Sequence, residues 1–238
     1  MSASPYAEQV MSSIAGDTFI QLKKFGDDGR FVCSGYLKAV NPRKMMIVPM
    51  TEDGQFLMKS SPLHGGEQDE ILSGIFVDYD SKYSVWEMMR SAVWEELEVP
   101  VVNGAKIHQS YVLSAKTNMK CLLVIAVVSG FVSSTDKTEW KSYPASSVIV
   151  PEWGVQDSLV SFALSQFLSP MALCPGVDHL NAEMKLGFYG AHLESKGIGD
   201  KSIIECNEMS LSGRRLYDME RGRDLYGKIQ KAITEVAL

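Results

Sequence analysis

Cysteine is scarce in this 238-residue chain: four in all, Cys33, Cys121, Cys174 and Cys206, far apart and never at the spacing of a metal-ligand pair. That spacing argues against a disulfide framework and against a structural zinc site. Cys33 and Cys121 fall in apolar, strand-like runs, where a small thiol fills core space. Long hydrophobic runs are missing too. The longest, Cys121 to Val128, is far too short to span a bilayer. Met1 to Val10 is mixed and polar and does not look like a signal peptide, so the expected compartment is cytoplasmic. Excess positive charge is also absent. With 23 Lys and Arg against 29 Asp and Glu the net charge is −6, which makes the chain a poor general partner for nucleic acid or anionic membrane. Only a local patch could reverse that, and the longest candidate is Arg214, Arg215, Arg221, Arg223, Lys228 and Lys231. No Walker motif, nucleophile elbow, dinucleotide fingerprint, internal repeat or low-complexity stretch occurs.

Apolar residues make up 45% of the chain, enough for a real core, and the length suits one domain with appendages. The first sixteen residues, with Tyr6, Val10, Met11 and Ile14 apolar, are expected to form a short helical segment. Asp17 to Phe25 and Arg30 to Val40 read as strands around the turn Gly26-Asp27-Asp28-Gly29. Lys44 to Pro49 and Gln55 to Lys59 read as strands around Thr51-Glu52-Asp53-Gly54. The first of these is continuously apolar, as a strand buried on both faces should be. Ser60 to Asp80 reads mostly as loop. Lys106 to Ala115 and Met119 to Ser133 read as strands, and Val155 to Leu168 as a helix. Residues 176–212 show no clear period, and Gly213 to Val236 looks helical. Strands joined by tight turns and interleaved with helices imply an α+β fold: a mixed β-sheet sandwiched by helices, with an extra C-terminal helical segment. The divisions expected are 1–16, 17–170 and 171–238.

One helix carries chemistry. Ser84 to Val99 is stopped by Pro100. On a wheel of about 100° per residue, Val85, Met88, Met89, Ala92, Val93, Leu97 and Val99 form an apolar arc. Glu96 lands near the middle of that arc and Glu95 at its edge. A carboxylate there is costly unless an arginine, a metal or a cleft compensates it. Trp86 and Trp94 lie off the arc, where they could face a partner.

The stretch Ser91-Ala92-Val93-Trp94-Glu95-Glu96-Leu97-Glu98-Val99 resembles the core of the Nudix box. That motif runs glycine, five residues, glutamate, seven residues, then Arg-Glu-apolar-any-Glu-Glu-any-Gly-apolar. Val93 and Val99 fill the apolar positions, Glu95 and Glu96 match the paired glutamates, and Gly74 is the candidate leading glycine. Met46 to Lys59 is similar to the hairpin before the box, and Trp140 to Pro144 to the tryptophan segment after the last core strands. The likeness covers roughly residues 17–170.

The resemblance implies cleavage of nucleoside diphosphate-linked substrates by water, with magnesium or manganese held by carboxylates. It would make Glu95 and Glu96 the catalytic and metal-binding residues, the ligand nucleotide-like, and self-association common. The departures are specific. Ser91 stands at the arginine, Ala92 at the following glutamate and Glu98 at the terminal glycine. Arg90 is one position out of place. The upstream glutamate falls at Tyr83, or at Glu87 in a shifted register. Substitute carboxylates could come from Glu67, Asp69, Glu70, Asp78 or Asp80, or from Asp136 or Glu139 in a late loop. His64-Gly65-Gly66 reads as a flexible turn with one imidazole, and His108, His179 and His192 have no partners at a recognisable spacing. Three readings stay open: an altered or non-catalytic Nudix-fold protein that binds a nucleotide-like ligand or a protein, a working hydrolase with rearranged carboxylates, or an unrelated α+β interaction protein.

Overall fold

The computed structural model describes residues 6–14, 17–25, 31–39, 43–62, 70–107, 111–112, 120–131, 139–149, 155–156, 158–198, 203–204 and 213–236. The chain opens with strands β1 (Tyr6–Ile14), β2 (Asp17–Phe25) and β3 (Phe31–Ala39), paired antiparallel as their own sheet. The helix expected over the first sixteen residues is therefore a strand. Met11 pairs with Ile20 and Tyr6 with Lys24, so the segment meets its backbone bonds across β2 rather than within itself. The turn expected at Gly26 to Gly29 lies outside the described residues.

The main sheet uses β4 (Arg43–Thr51), β5 (Phe56–Pro62), β6 (Glu70–Ser73), β7 (Ile75–Asp78), β8 (Val101–Lys106), β9 (Tyr111–Val112), β10 (Lys120–Val128), β11 (Trp140–Tyr143), β12 (Val155–Gln156) and β13 (Ile203–Ile204). Its path runs β12-β6-β5-β4-β10-β8-β13, with β11 on β5, β7 on β4 and β9 on β10. The central pair β10 and β4 is parallel and its neighbours are antiparallel, so the sheet is mixed as expected. The hairpin at Thr51 closes as the turn residues demand. Gly54 N donates to the Thr51 carbonyl (2.8 Å), and Gly54 holds a φ of 89°, which favours glycine. Much of Ser60 to Asp80 is strand rather than loop. Gly74 lies between β6 and β7, where a Cβ would lie 2.5 Å from the Ile47 carbonyl oxygen, so the close approach of β4 favours glycine. The strand expected from Lys106 starts earlier, at Val101, directly after Pro100.

Helices α1 (Val85–Leu97), α2 (Ala145–Ile149), α3 (Ser158–Leu168), α4 (Ala182–Ser195) and α5 (Gly213–Val236) cover the two faces. Strand alternation sorts the core between them. Met45 and Ile47 of β4 join Leu57, Val124 and Ala126 under Met88, Met89, Ala92 and Val93 of α1. Met46, Val48 and Met50 join Phe56, Leu123, Ile125 and Val127 under α2, α3, α4 and Tyr226 of α5. Complete burial of one such Met, Val or Leu is worth about 1.5–3 kcal/mol. The mixed sheet with the Ser84–Val99 helix packed on it removes the condition under which only the third reading would survive. Among the described residues, no helix is long and apolar enough to cross a membrane.

Candidate functional site

Helix α1 is anchored at its start by a capping box. Ser84 Oγ accepts the Glu87 N–H (3.1 Å), and the Glu87 carboxylate accepts the Ser84 N–H (2.8 Å), which holds Glu87 below the ordinary carboxylate value. Its last turn ends on Glu98, at φ 54°, whose N–H bonds to the Trp94 carbonyl (3.0 Å). The residue standing at the box's glycine position thus adopts the left-handed conformation that a glycine takes without strain.

Glu96 faces the sheet, as the wheel places it, but it is not buried: its side chain is 43% exposed. It sits in the final turn, where the apolar floor gives way to Lys59. Phe56 and Met58 of β5 point to the α4 side and Leu57 to the α1 side, so alternation also brings Lys59 to the α1 side. Strand β11 pairs antiparallel with β5, and Ser60 N donates to the Glu139 carbonyl (3.1 Å), setting Glu139 beside Lys59. The Lys59 ammonium lies 3.1 Å from Glu139 Oε2 and 3.6 Å from Glu96 Oε2. The Glu139 hydrogen bond holds Lys59 above its ordinary value against the opposing effect of burial, and the Glu96 charge adds to it. Of the two late-loop candidates the structure brings in Glu139; Asp136 lies outside the described residues.

Glu95 points elsewhere. It is exposed, and Ser91 Oγ donates to its Oε1 (3.2 Å), so the residue at the arginine position holds Glu95 by a neutral hydrogen bond instead of an ion pair. Ala92, four residues before Glu96, is buried in the α1 core. A groove of about 550 Å³ lies beside α1, lined by Val77, Tyr83, Met88, Ser91, Ala92 and Glu95. Asp78, Asp80 and Glu87 stand on its rim. Asp78 pairs with the buried Lys44, and Asp80 accepts the Lys82 N–H (2.9 Å).

These side chains do not fit a magnesium or manganese ion as they stand. Glu96 and Glu139 converge on an ammonium rather than on an open position. Glu95 and Glu96 leave the helix in different directions, and the position four residues before Glu96 carries a methyl group. No group of three or more metal-ligating side chains occurs among the described residues. Glu67, Asp69, His64 and His108 lie outside the described residues, as does the side chain of Glu70.

The remaining sequence candidates resolve structurally. Trp94 is 57% exposed, whereas Trp86 is half-buried against the α1 core. The basic run on α5 is mostly neutralised: Arg215 pairs with Glu52, Arg221 with Asp218, Arg223 with Glu194, Lys228 with Asp224 and Lys231 with Glu235. His179 is exposed, and His192 packs against the Tyr226 ring. Lys59 is the site residue that sequence reasoning missed. Its one legible signal was its place, two residues after Leu57 on an alternating strand. Asn103 and Glu183, a buried polar pair bonded at 3.1 Å, gave no signal, because 80 residues separate them.

Among solved structures, the chain is similar to an ADP compounds hydrolase at 14% identity, over 72% of this chain and 98% of that one, with a TM-score of 0.45. It is similar to a MutT protein from Methanosarcina mazei at 15% identity, over 55% and 94%, with a TM-score of 0.40. It is also similar to a NUDIX hydrolase from Nitrosomonas europaea at 10% identity, over 54% and 88%, again with a TM-score of 0.40. No family model matches the sequence, and no curated protein matches it. At such scores the site is read from this chain's own residues.

Proposed function

We propose that this chain is a Nudix-fold protein altered at its box helix, which binds a nucleotide-like ligand with little or no hydrolysis. The observation that carries this is the Lys59 ammonium between Glu96 and Glu139. Hydrolysis in this family gathers carboxylates around a divalent cation, so that several negative charges are balanced by an ion that can also hold water and substrate. Here an internal cation already balances two of them. A lysine ammonium can hold a phosphate oxygen but cannot coordinate and activate water as a divalent ion does, and here it occupies the position between the two glutamates. The groove beside Ser91 and Ala92, with its apolar floor and the exposed Tyr83 ring, suits the planar end of a ligand. The anionic end would have to lie away from the carboxylate rim.

The alternative, a hydrolase with rearranged carboxylates, draws on one observation: Glu95 shares its groove with Asp80 and Glu87. One experiment separates the two. The protein is incubated with magnesium or manganese and a panel of nucleoside triphosphates, nucleotide sugars, ADP-ribose, dinucleoside polyphosphates and capped RNA. The proposal expects turnover at background and a ligand-dependent thermal shift. Turnover that disappears in Glu96→Gln overturns it. Under the hydrolase reading Ala92→Glu raises the rate, because it restores the carboxylate four residues before Glu96; under ours it leaves the rate at background.

A further inference from the structure

On the face of the sheet opposite α1, the β4–β5 hairpin meets the first turns of α4 and α5 around a cavity of about 400 Å³. That volume lies within the usual range for small-molecule sites, roughly 300–1,000 Å³. Glu183, 7% exposed, lines it, and Asn103, 1% exposed, is bonded to Glu183. A bulge puts Asn103 there. Val101 pairs with Val128 and Asn103 with Val127, so Val102 is the extra residue and the alternation of β8 reverses across it. Val101 packs toward α1, while Asn103 turns toward α4. The Asn103 amide is fully oriented: Nδ2 donates to Glu183 Oε2 (3.1 Å) and Oδ1 accepts the Gly104 N–H (2.8 Å). Glu183 Oε1 accepts no hydrogen bond among the described residues. Burial holds the Glu183 carboxyl above its usual range, the Asn103 bond and Arg215 opposing, Asp218 and Glu52 adding.

The other charged walls are spoken for. Glu52 takes the Ser129 hydroxyl (2.6 Å) on one oxygen and Arg215 (3.1 Å) on the other. Asp218 takes the Asn181 amide (3.0 Å) and lies 3.8 Å from Arg221. Arg214, exposed at the cavity, has no ion pair or side-chain hydrogen bond among the described residues. The unmet groups are therefore one Glu183 carboxylate oxygen at the cavity and one exposed guanidinium, among three carboxylates and two arginines. An inorganic anion would meet Arg214 and be repelled by the carboxylates. A plain cation would satisfy Glu183 and leave Arg214 unused.

We propose that this cavity binds a small zwitterion, its ammonium or guanidinium accepted by Glu183 and its anionic group held by Arg214. The site stands apart from the Glu96 helix and does not depend on the function proposed for it. The anion could be a carboxylate or a phosphate, and the test distinguishes them. Titration calorimetry on the full chain at pH 8 uses L-arginine and L-lysine as carboxylate zwitterions and phosphoethanolamine as the phosphate one. Agmatine, which lacks the carboxylate, and acetate, which lacks the cation, are the half-ligands. At least one zwitterion should bind, both half-ligands should bind about tenfold more weakly or worse, and Arg214→Ala and Glu183→Gln should each weaken the zwitterion by about tenfold. Arg214→Ala changes an exposed side chain, so it reads the site even if Glu183→Gln does not fold. Absence of heat from all three zwitterions at millimolar concentration overturns the proposal. Unchanged affinity in Arg214→Ala overturns it as well, as does unchanged affinity in a folded Glu183→Gln.

Discussion

Glu98 takes a backbone conformation that its side chain disfavours. At φ 54° a non-glycine residue crowds its own Cβ against the backbone, and the αL cap of α1 is otherwise a glycine's place. Glu98→Gly should therefore stabilise the fold by about 0.5–1 kcal/mol, relief of strain outweighing the freedom glycine adds to the unfolded chain. Urea unfolding measures it, and a loss of stability would mean the Glu98 side chain contributes more than its backbone suffers. Lys185 is a second residue under tension. It is fully buried on α4, and its Nζ donates to the Leu180 carbonyl. Burial lowers its pKa from 10.5 to about 8, against the raising effects of Asp178, Asp53 and Cys174. Below pH 8 the ammonium is charged in both states and the full penalty of burying it is present, about 3 kcal/mol. Between pH 8 and 10.5 the unfolded chain keeps a proton that the folded chain has released, so this site's penalty shrinks as pH rises. Lys185→Met should thus be more stable than wild type at pH 7 by about 1–3 kcal/mol, once the lost hydrogen bond is set against it. Its advantage should fade by pH 10.5. Parallel denaturation series at pH 7, 8, 9 and 10 check this; a constant difference would show that Lys185 titrates normally.

Elements were legible where a period or a turn marked them. The β4–β5 hairpin, α1 and α5 follow from the continuous apolar run of Met45 to Met50, the Thr51 to Gly54 turn, the apolar arc of Met88 to Val93, and the mixed run from Gly213. Helix α4 was not legible, for a physical reason. Its buried residues include Glu183, Lys185, Gly187 and Gly190 beside Leu186, Phe188 and Tyr189, so it is buried nearly all round and has no polar face to set a period. The glycines that weaken its helix signal are what let α5 approach. A Cβ on Gly187 would lie 2.0 Å from the Met219 carbonyl oxygen, and one on Gly222 would lie 2.1 Å from that of Met184. Both clashes are with backbone, which cannot swing aside. Gly187→Ala and Gly222→Ala should each destabilise by about 1–3 kcal/mol or more, despite alanine's better helix propensity. An exposed control, Gly227→Ala, meets nothing within 4 Å and should be neutral or stabilising. Equal midpoints for all three variants in thermal unfolding would contradict the close packing of α4 on α5.

At the scale of the molecule, the question is whether residues beyond 170 form an appendage or part of the core. A boundary near 170 suits the extent of the Nudix-like stretch. The packing does not divide there: Met171, Leu186, Phe188, Tyr189, Leu193 and Tyr226 share one cluster with Met46, Val48 and Phe56 of the sheet. The rings of Phe167 of α3 and Tyr189 of α4 meet at 5.0 Å with a tilt of 52°, and Phe188 meets Tyr226 of α5 at 5.1 Å, edge to face. The ends of α5 differ sharply. The part up to Tyr226 carries Arg215 to Glu52, Arg223 to Glu194, Gly222 against α4 and Tyr226 bonded to Ser195 (2.8 Å). Beyond Gln230 every described residue is exposed, and the Lys231–Glu235 pair at 3.8 Å is a surface bridge of little worth. Removing residues 231–238 should therefore shift stability by less than about 1 kcal/mol. Removing 213–238 strips the cover from Phe188 and Leu193 and leaves Glu52 without Arg215. It should lower stability by at least about 4 kcal/mol, the scale of losing two large buried contacts. A chain ending at 170 should not fold cooperatively, since it would uncover the part of that face packed under α4 and α5. Far- and near-ultraviolet circular dichroism of the three truncations, followed through thermal unfolding, tests the series. A cooperative transition in residues 1–170 alone would restore the C-terminal segment to an appendage.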